Sequence, residues 1–118
     1  MDSKQNNHIK LDDTWSIVDN RICWDALVGP KIDIESLKIL DDLYAKDKNG
    51  VYLRGEKIPN CDPETFEFLD RGYIRDKEKI FAYYDEVPMV DLGTFKVLGE
   101  FYSQDKNGYF RGTKRVKE

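Results

Sequence analysis

The chain has very little histidine and cysteine. His8 is the single histidine among 118 residues and lies in a polar N-terminal segment. A Ser-His-Asp or Cys-His catalytic device, or a histidine-based zinc site, therefore cannot be assembled within one chain. Cys23 and Cys61 are the two cysteines, and they lack the paired short spacings of a zinc site or a disulfide framework. We expect free thiols in a reducing compartment.

Long apolar runs and an excess of positive charge are also missing. No stretch approaches 18 consecutive apolar residues, and residues 1–8 lack the apolar segment of a secretory signal. The formal net charge is −4, which argues against a nucleic-acid or anionic-membrane binder. We therefore expect a cytoplasmic protein with no direct nucleic-acid partner and no membrane, and the acidic charge favours a basic partner.

The usual cofactor and metal motifs are absent. Four of the glycines, at 50, 55, 108 and 112, fall in predicted hairpin turns and lack the strand-loop-helix context of a phosphate-binding loop. The repeated Asp and Asn residues do not match a calcium-binding EF-hand loop. A carboxylate pair for glycoside cleavage stays formally open among 23 acidic residues, although none stands apart. We expect no cofactor, no metal and no enzymatic activity.

The chain does contain a repeat. Asp47-Lys48-Asn49-Gly50 recurs as residues 105–108, with weaker copies at 76–79 and 19–21. With Asp19, Asp47, Asp76 and Asp105 as phase markers, the steps are 28, 29 and 29 residues. Self-similarity at such a period is typical of a repeat architecture. The sequence therefore predicts tandem units of about 29 residues.

Each unit is predicted to contain a tight β-hairpin. Asn49-Gly50 lies between two alternating apolar runs, and both residues tolerate the positive φ of a two-residue hairpin turn. A short third strand is expected near Ile58. We expect the repeated Asp to accept hydrogen bonds from backbone amides of its own turn.

A short helix is predicted after each hairpin. Asp62-Pro63-Glu64 places an N-cap, a first-turn proline and an acidic residue in the order that starts a helix. Segments 33–40 and 91–98 correspond to segment 62–69. Two sets of apolar residues recur 29 apart and are predicted to face a shared core: Leu37, Phe66 and Phe95, and Leu40, Leu69 and Leu98.

These patterns predict a mainly β fold with short helical turns. We expect a flexible lead-in at residues 1–12 and a single repeat domain at 13–118, with units at about 14–42, 43–72, 73–100 and 101–116. One hairpin with one helical turn cannot bury its own apolar face, so neighbouring units must stack. Two arrangements fit: an open half-propeller-like fan of small antiparallel sheets, or a short solenoid.

The second unit resembles the bacterial DKNYY family. The residues that carry the resemblance are Tyr44, Asp47-Lys48-Asn49, Val51-Tyr52, Gly55, Lys57, Ile58 and Asp62-Pro63-Glu64-Thr65-Phe66. The resemblance implies no catalytic residues. Small acidic proteins with such repeats look like immunity proteins of bacterial contact-dependent growth inhibition and polymorphic toxin systems. It therefore implies a cytoplasmic inhibitor that covers the active site of a cognate toxin domain, a basic nuclease or RNase, in a 1:1 complex.

Departures from the repeat suggest where a partner binds. Residues 83–87 replace the Gly turn and Lys of residues 54–58 with aromatic and acidic side chains, and Trp24-Asp25 departs in the same region. Aromatic side chains beside carboxylates suit a hot spot against a basic groove. Aspartates near unit junctions add a carboxylate-rich rim. The predicted partner-binding set is Trp24, Asp25, Asp41, Asp42, Asp70, Tyr83, Tyr84, Asp85 and Glu86.

Other interpretations stay open. Tyr83 or Tyr84 can be a core residue, with Asp85-Glu86 a solvated turn, and each junction aspartate can be plain solubilising surface. The alternative function is a general protein-interaction repeat module of a regulatory or envelope-associated system. A third is an acidic carbohydrate-binding or carbohydrate-hydrolysing repeat.

Overall fold

The computed structural model describes residues 8–116. Residues 1–7 of the predicted lead-in and residues 117–118 of the basic tail lie outside the described residues. Within the described range the chain is mainly β, as the sequence predicts, and forms four small antiparallel sheets of four strands each. In every sheet the strands are neighbours in chain order.

The strands are short, and their bounds follow one pattern. The first sheet comprises β1 His8–Lys10, β2 Trp15–Val18, β3 Arg21–Trp24 and β4 Leu27–Lys31. The second comprises β5 Lys38–Ile39, β6 Tyr44–Asp47, β7 Gly50–Leu53 and β8 Glu56–Lys57. The third comprises β9 Glu67–Phe68, β10 Tyr73–Arg75, β11 Ile80–Ala82 and β12 Asp85–Glu86. The fourth comprises β13 Lys96–Gly99, β14 Tyr102–Asp105, β15 Gly108–Arg111 and β16 Lys114–Arg115.

The second strands of the four sheets start 29 residues apart, at Trp15, Tyr44, Tyr73 and Tyr102. The hairpin predicted at Asn49-Gly50 is present, with Asp47 opposite Gly50. In the first sheet Val18, and not Asp19, ends the strand as Asp47 does in the second. Strand β1 lies inside the predicted lead-in and pairs with β2. Each later sheet takes its first strand from the end of the preceding predicted unit.

The predicted helices are largely wrong. Ile34–Ser36 forms a single 3₁₀ turn, capped by Asp33, and segments 63–65 and 92–94 are simple turns. The second halves of the predicted helices are strands β5, β9 and β13. An Asp cap closes one turn equally well in a turn and in a helix. The chain then extends because its next residues pair with the following hairpin.

The span predicted as one repeat domain comprises two compact units, one ending at Ile58 and one starting at Pro59. The first unit holds the first two sheets. Its buried cluster contains Trp15, Ile17, Ile22, Ile32, Ala45 and Tyr52, with Trp24, Leu37 and Ile39 packed against it. A Cβ added at Gly29 would collide with the carbonyl oxygen of Gly55, so glycine permits this backbone approach.

The second unit holds the third and fourth sheets. Its buried cluster contains Tyr73, Ile80, Val87 and Phe110, and Leu69, Ala82, Val90, Leu92, Phe95 and Val97 pack against it. The predicted core is therefore partly right, since Leu37, Leu69 and Phe95 contact the clusters. Leu98, however, is 48% exposed because its segment is a strand rather than a helix. Among residues 8–116, no helix has the length and apolar character that a membrane crossing requires.

Candidate partner-binding site

The aspartates of the repeated motif are buried turn clamps. Asp47 Oδ1 accepts hydrogen bonds from the backbone N–H groups of Asn49 and Gly50 at 2.8 and 3.0 Å. Asp76 Oδ1 does the same for Glu78 and Lys79, at 2.9 and 2.8 Å. The prediction that the repeated Asp binds amides of its own turn is confirmed. These carboxylates are occupied in holding hairpins.

A second set of aspartates connects each hairpin to the turn that precedes it. Asp62 donates its backbone N–H to Asp76 Oδ2 at 2.9 Å, and its own Oδ2 accepts the hydroxyl of Thr65 at 2.8 Å. The Thr65 hydroxyl oxygen in turn accepts the backbone N–H of Lys77 at 2.9 Å. The same links join residues 33, 36, 47 and 48, and residues 91, 94, 105 and 106. The hydrogen bond from Thr65 is the main cause that lowers the pKa of Asp62.

The buried carboxylates differ in their side-chain partners. Tyr52 Oη donates to Asp47 at 3.0 Å, and burial, followed by this hydrogen bond, raises the pKa of Tyr52. Arg115 donates to both oxygens of Asp105, at 3.1 and 3.0 Å, and lies over the Phe110 ring at 4.2 Å. Hydrogen bonding to Arg115 lowers the pKa of Asp105 to about 2. The motif residues therefore hold the fold, and a ligand site must use other residues.

Chemically reactive groups are few in the described part of the chain. Burial, reinforced by the charge of Asp76, raises the pKa of Cys61 to about 12, so this thiol is protonated near neutral pH. Residues 8–116 contain no group of three His, Cys, Asp or Glu side chains placed to hold a metal ion. Both cysteines are free and buried.

In the first unit the structure brings together three residues of the predicted binding set. Trp24 Nε1 donates to the backbone oxygen of Asp42 at 2.7 Å, and Trp15 Nε1 donates to that of Asp41 at 2.9 Å. Asp41 Oδ1 accepts the backbone N–H groups of residues 43 and 44. Trp24 and Asp41 thus have structural roles. Asp25 is exposed at the turn that follows Trp24, with φ of 54°.

In the second unit a groove of about 250 Å³ contains two other members of the predicted set. Its lining comprises Arg71, Gly72, Tyr73, Ala82, Tyr83, Asp85, Phe101, Gly112 and Thr113. Tyr83 is 40% exposed, and its ring lies against Gly72. Asp85 is exposed on strand β12. The groove therefore combines aromatic surface with one carboxylate and one guanidinium group.

The remaining members of the predicted set lie beside this groove in the chain but do not line it. Glu86 follows Asp85 on β12 and is exposed, whereas Tyr84 is half-buried. Asp70 is exposed and precedes Arg71, whose guanidinium group is 4.0 Å from the Asp70 carboxylate. An exposed pair at this distance contributes little to stability.

Two aromatic residues of the groove have an unfavourable backbone conformation. Tyr83 has φ of 60° and Phe101 has φ of 67°, in the left-handed region that L-residues rarely adopt. Each such residue costs on the order of 1–3 kcal/mol. Phe101 nevertheless exposes 61% of its surface, and Gly72, 29 residues earlier, has φ of 86° with no side chain to expose.

Sequence reasoning missed Phe101. The signal available in the sequence was the alignment of Arg71-Gly72-Tyr73 with Glu100-Phe101-Tyr102, in which an aromatic residue replaces glycine at a turn. A residue in that conformation that gains no burial from it marks a surface where a function is expected.

Comparison with known proteins gave one match. The model of the DKNYY family matches residues 3–85 and, in a second overlapping match, residues 64–114. No curated protein matches the chain, and no solved structure does.

Proposed function

Because the chain belongs to the DKNYY family, we propose that it is an immunity protein that binds a cognate bacterial toxin domain and neutralises it. In this proposal it acts in the cytoplasm as a 1:1 inhibitor without a reaction of its own. It covers the active site of a basic nuclease or RNase. The half-propeller-like fan of sheets predicted from the repeat is part of the same proposal, and small-angle X-ray scattering tests it.

The observation that carries the proposal is the groove that holds Tyr83 beside Asp85. Tyr83 keeps a left-handed backbone conformation while its ring stays 40% exposed, so the fold bears a conformational cost without full burial in return. Exposed tyrosines with restricted conformations are frequent anchors of protein interfaces. A partner that covers this ring would recover the missing burial.

Charge gives the expected chemistry of the partner. The chain has a net charge of −4, and Asp85 and Glu86 are exposed in succession on strand β12. A nuclease that binds nucleic acid presents cations in its substrate groove. Acidic side chains opposite such a groove accelerate association and occupy the positions of the substrate phosphates.

The groove also contains Arg71, close to the exposed Asp85. A lining of both charges suits a partner that is not uniformly basic. This observation favours the alternative function, a general protein-interaction module of a regulatory or envelope-associated system.

The test is a titration calorimetry and neutralisation experiment with the toxin domain encoded beside this gene. Asp85→Lys should weaken binding at least tenfold, because a cation then faces the partner's cations. Glu56→Lys is the matched control, since Glu56 starts strand β8 as Asp85 starts strand β12. Equal affinity of both variants and the unchanged protein would remove the groove from the interface.

Tyr83→Asn removes the ring from the groove with little disturbance of the fold. Asn tolerates the left-handed conformation of this position better than most residues. We expect a retained melting midpoint and loss of neutralisation. A folded Tyr83→Asn variant that still neutralises the toxin would show that the ring is not an anchor.

A further inference from the structure

The last part of the chain has a charge opposite to that of the whole. Residues 96–116 contain five basic residues and two acidic residues, a net charge of +3, whereas the complete chain has −4. One of the two acids, Asp105, is buried and paired with Arg115. The exposed charge of the fourth sheet is therefore predominantly positive.

The strand register places aromatic and basic side chains on one face of this sheet. Directly paired residues share a face, and the pairs are Lys96 with Gln104, Gln104 with Tyr109, Tyr102 with Arg111, and Arg111 with Lys114. The alternate residues Ser103, Asp105 and Phe110 are buried on the other face. We call the first set the outer face of the last sheet: Lys96, Tyr102, Gln104, Tyr109, Arg111 and Lys114.

The outer face carries cations and aromatic rings together. Tyr102 and Tyr109 are each 48% exposed, and they are diagonal neighbours on adjacent strands. Such neighbours lie about 7–8 Å apart. The three charged members of this set are all basic.

An open depression of about 490 Å³ lies at the end of this face. Phe101, Tyr102, Arg111, Gly112 and Lys114 line it, so two aromatic residues and two cations meet with no carboxylate among the lining residues that the structure describes. Phe101 is the residue whose ring is 61% exposed at a glycine-type backbone position. This depression shares Phe101 with the groove of Tyr83, but its charge is of one sign.

We propose that the outer face of the last sheet binds single-stranded RNA. Arg111 and Lys114 supply charge for two backbone phosphates, and Phe101, Tyr102 and Tyr109 supply flat rings on which bases stack. Gln104 lies between the two tyrosine positions and can hydrogen-bond a ribose 2′-hydroxyl. An acidic peptide would use the cations but not the three exposed rings.

This inference is independent of the proposed inhibition of a toxin. It differs from the expectation that the protein contacts no nucleic acid, which rested on the net charge of the whole chain. A small basic face can bind phosphates when the acidic residues lie elsewhere, because interactions beyond about 8–10 Å are screened at physiological salt. The uneven distribution of charge is therefore decisive.

The test measures fluorescence anisotropy of a labelled twelve-nucleotide oligouridine titrated with the full chain at two salt concentrations. Phe101→Gly should weaken binding about fivefold or more, since one stacking platform is lost. Its melting midpoint should be kept or raised, because glycine adopts this φ at lower cost. A loss of affinity without a loss of stability separates a binding role from a structural role.

The charge of the face is tested by Arg111→Gln combined with Lys114→Gln. If each contacts one phosphate, the slope of log affinity against log salt should become shallower by roughly 1.4. Lys31→Gln combined with Lys48→Gln makes the same charge change on exposed positions of the first unit and should leave the slope unchanged.

Three results would overturn the inference. One is no binding of oligouridine at 100 µM protein and low salt. A second is equal affinity for a duplex of the same length, in which bases cannot stack on the rings. The third is binding of a labelled oligoglutamate without binding of oligouridine, which would assign the face to an acidic protein segment.

Discussion

The carboxylate of Asp76 accepts the backbone N–H of Asp62, fourteen residues earlier, at 2.9 Å. Equivalent bonds join Asp47 to Asp33 at 2.7 Å and Asp105 to Asp91 at 2.9 Å. Each bond ties a hairpin turn to the turn before the sheet. The most recognisable residues of the repeat therefore stabilise the fold, and partner recognition depends on residues that depart from the repeat.

Replacing Asp76 with Asn tests this role. Asp76 is 1% exposed and accepts three backbone N–H groups through its two oxygens. An amide has one acceptor oxygen, so at least one buried N–H loses its partner, and we expect a loss of about 1–3 kcal/mol in the free energy of unfolding. Urea denaturation measures it. Asp70→Asn, at an exposed position, should change stability by less than about 0.5 kcal/mol.

The hydroxyl of Thr65 is a second test of the same network. It donates to Asp62 and accepts from the backbone N–H of Lys77. Thr65→Val keeps the shape but removes both bonds, so we expect a loss of about 1 kcal/mol or more. Thr65→Ser keeps the hydroxyl and should retain most of the stability in the same urea experiment. Equal stability of the Val and Ser variants would show that the hydroxyl contributes nothing.

Much of the β structure could be predicted from the sequence. Asn49-Gly50 between alternating apolar runs specifies a hairpin locally, because both residues tolerate positive φ. The strand Lys38–Ile39 could not be predicted in this way, since two residues form a strand only through pairing with β6. Asp62-Pro63-Glu64 starts a helix and a single turn with the same local signals.

The candidate site was predictable only in part. Tyr83 and Asp85 stand out because they replace the Gly turn of the preceding unit. Phe101 did not stand out, because its exposure and its positive φ are properties of the folded chain. The pairing of Asp105 with Arg115 likewise depends on register across two neighbouring strands.

That pair makes stability depend on pH. The pKa of Asp105 falls from 3.8 to about 2 on folding, chiefly because Arg115 hydrogen-bonds the charged form. The unfolded chain then binds more protons in this range, so the stabilisation is complete above about pH 4 and is lost as the pH falls towards 2. Other carboxylates with lowered pKa, such as Asp33 and Asp62, add to the same trend.

Arg115→Gln isolates the contribution of Asp105. We expect a loss of about 1–2 kcal/mol near neutral pH, since the pair is charge-assisted but Arg115 is partly exposed. The difference between the variant and the unchanged protein should shrink as the pH falls from about 5 to 2.5. Urea unfolding across that range measures it, and a difference that stays constant would exclude the linkage.

Glycine at position 29 is required for close backbone approach. A Cβ there would collide with the carbonyl oxygen of Gly55, and a backbone atom cannot move aside as a side chain can. We expect Gly29→Ala to cost about 2 kcal/mol or more in thermal or urea unfolding. Gly99→Ala is the matched control, because a Cβ there has no neighbour within 4 Å. It should be neutral or stabilising by up to about 1 kcal/mol.

The central claim is that this chain inhibits a toxin through the groove of Tyr83 and Asp85. The most direct measurement is co-expression with the product of the adjacent upstream gene, followed by co-purification, mass spectrometry and an assay of toxin activity. The account predicts a 1:1 complex whose toxin activity disappears, and restoration of that activity by Tyr83→Asn or Asp85→Lys. Absence of a complex, or full inhibition by both folded variants, would contradict it.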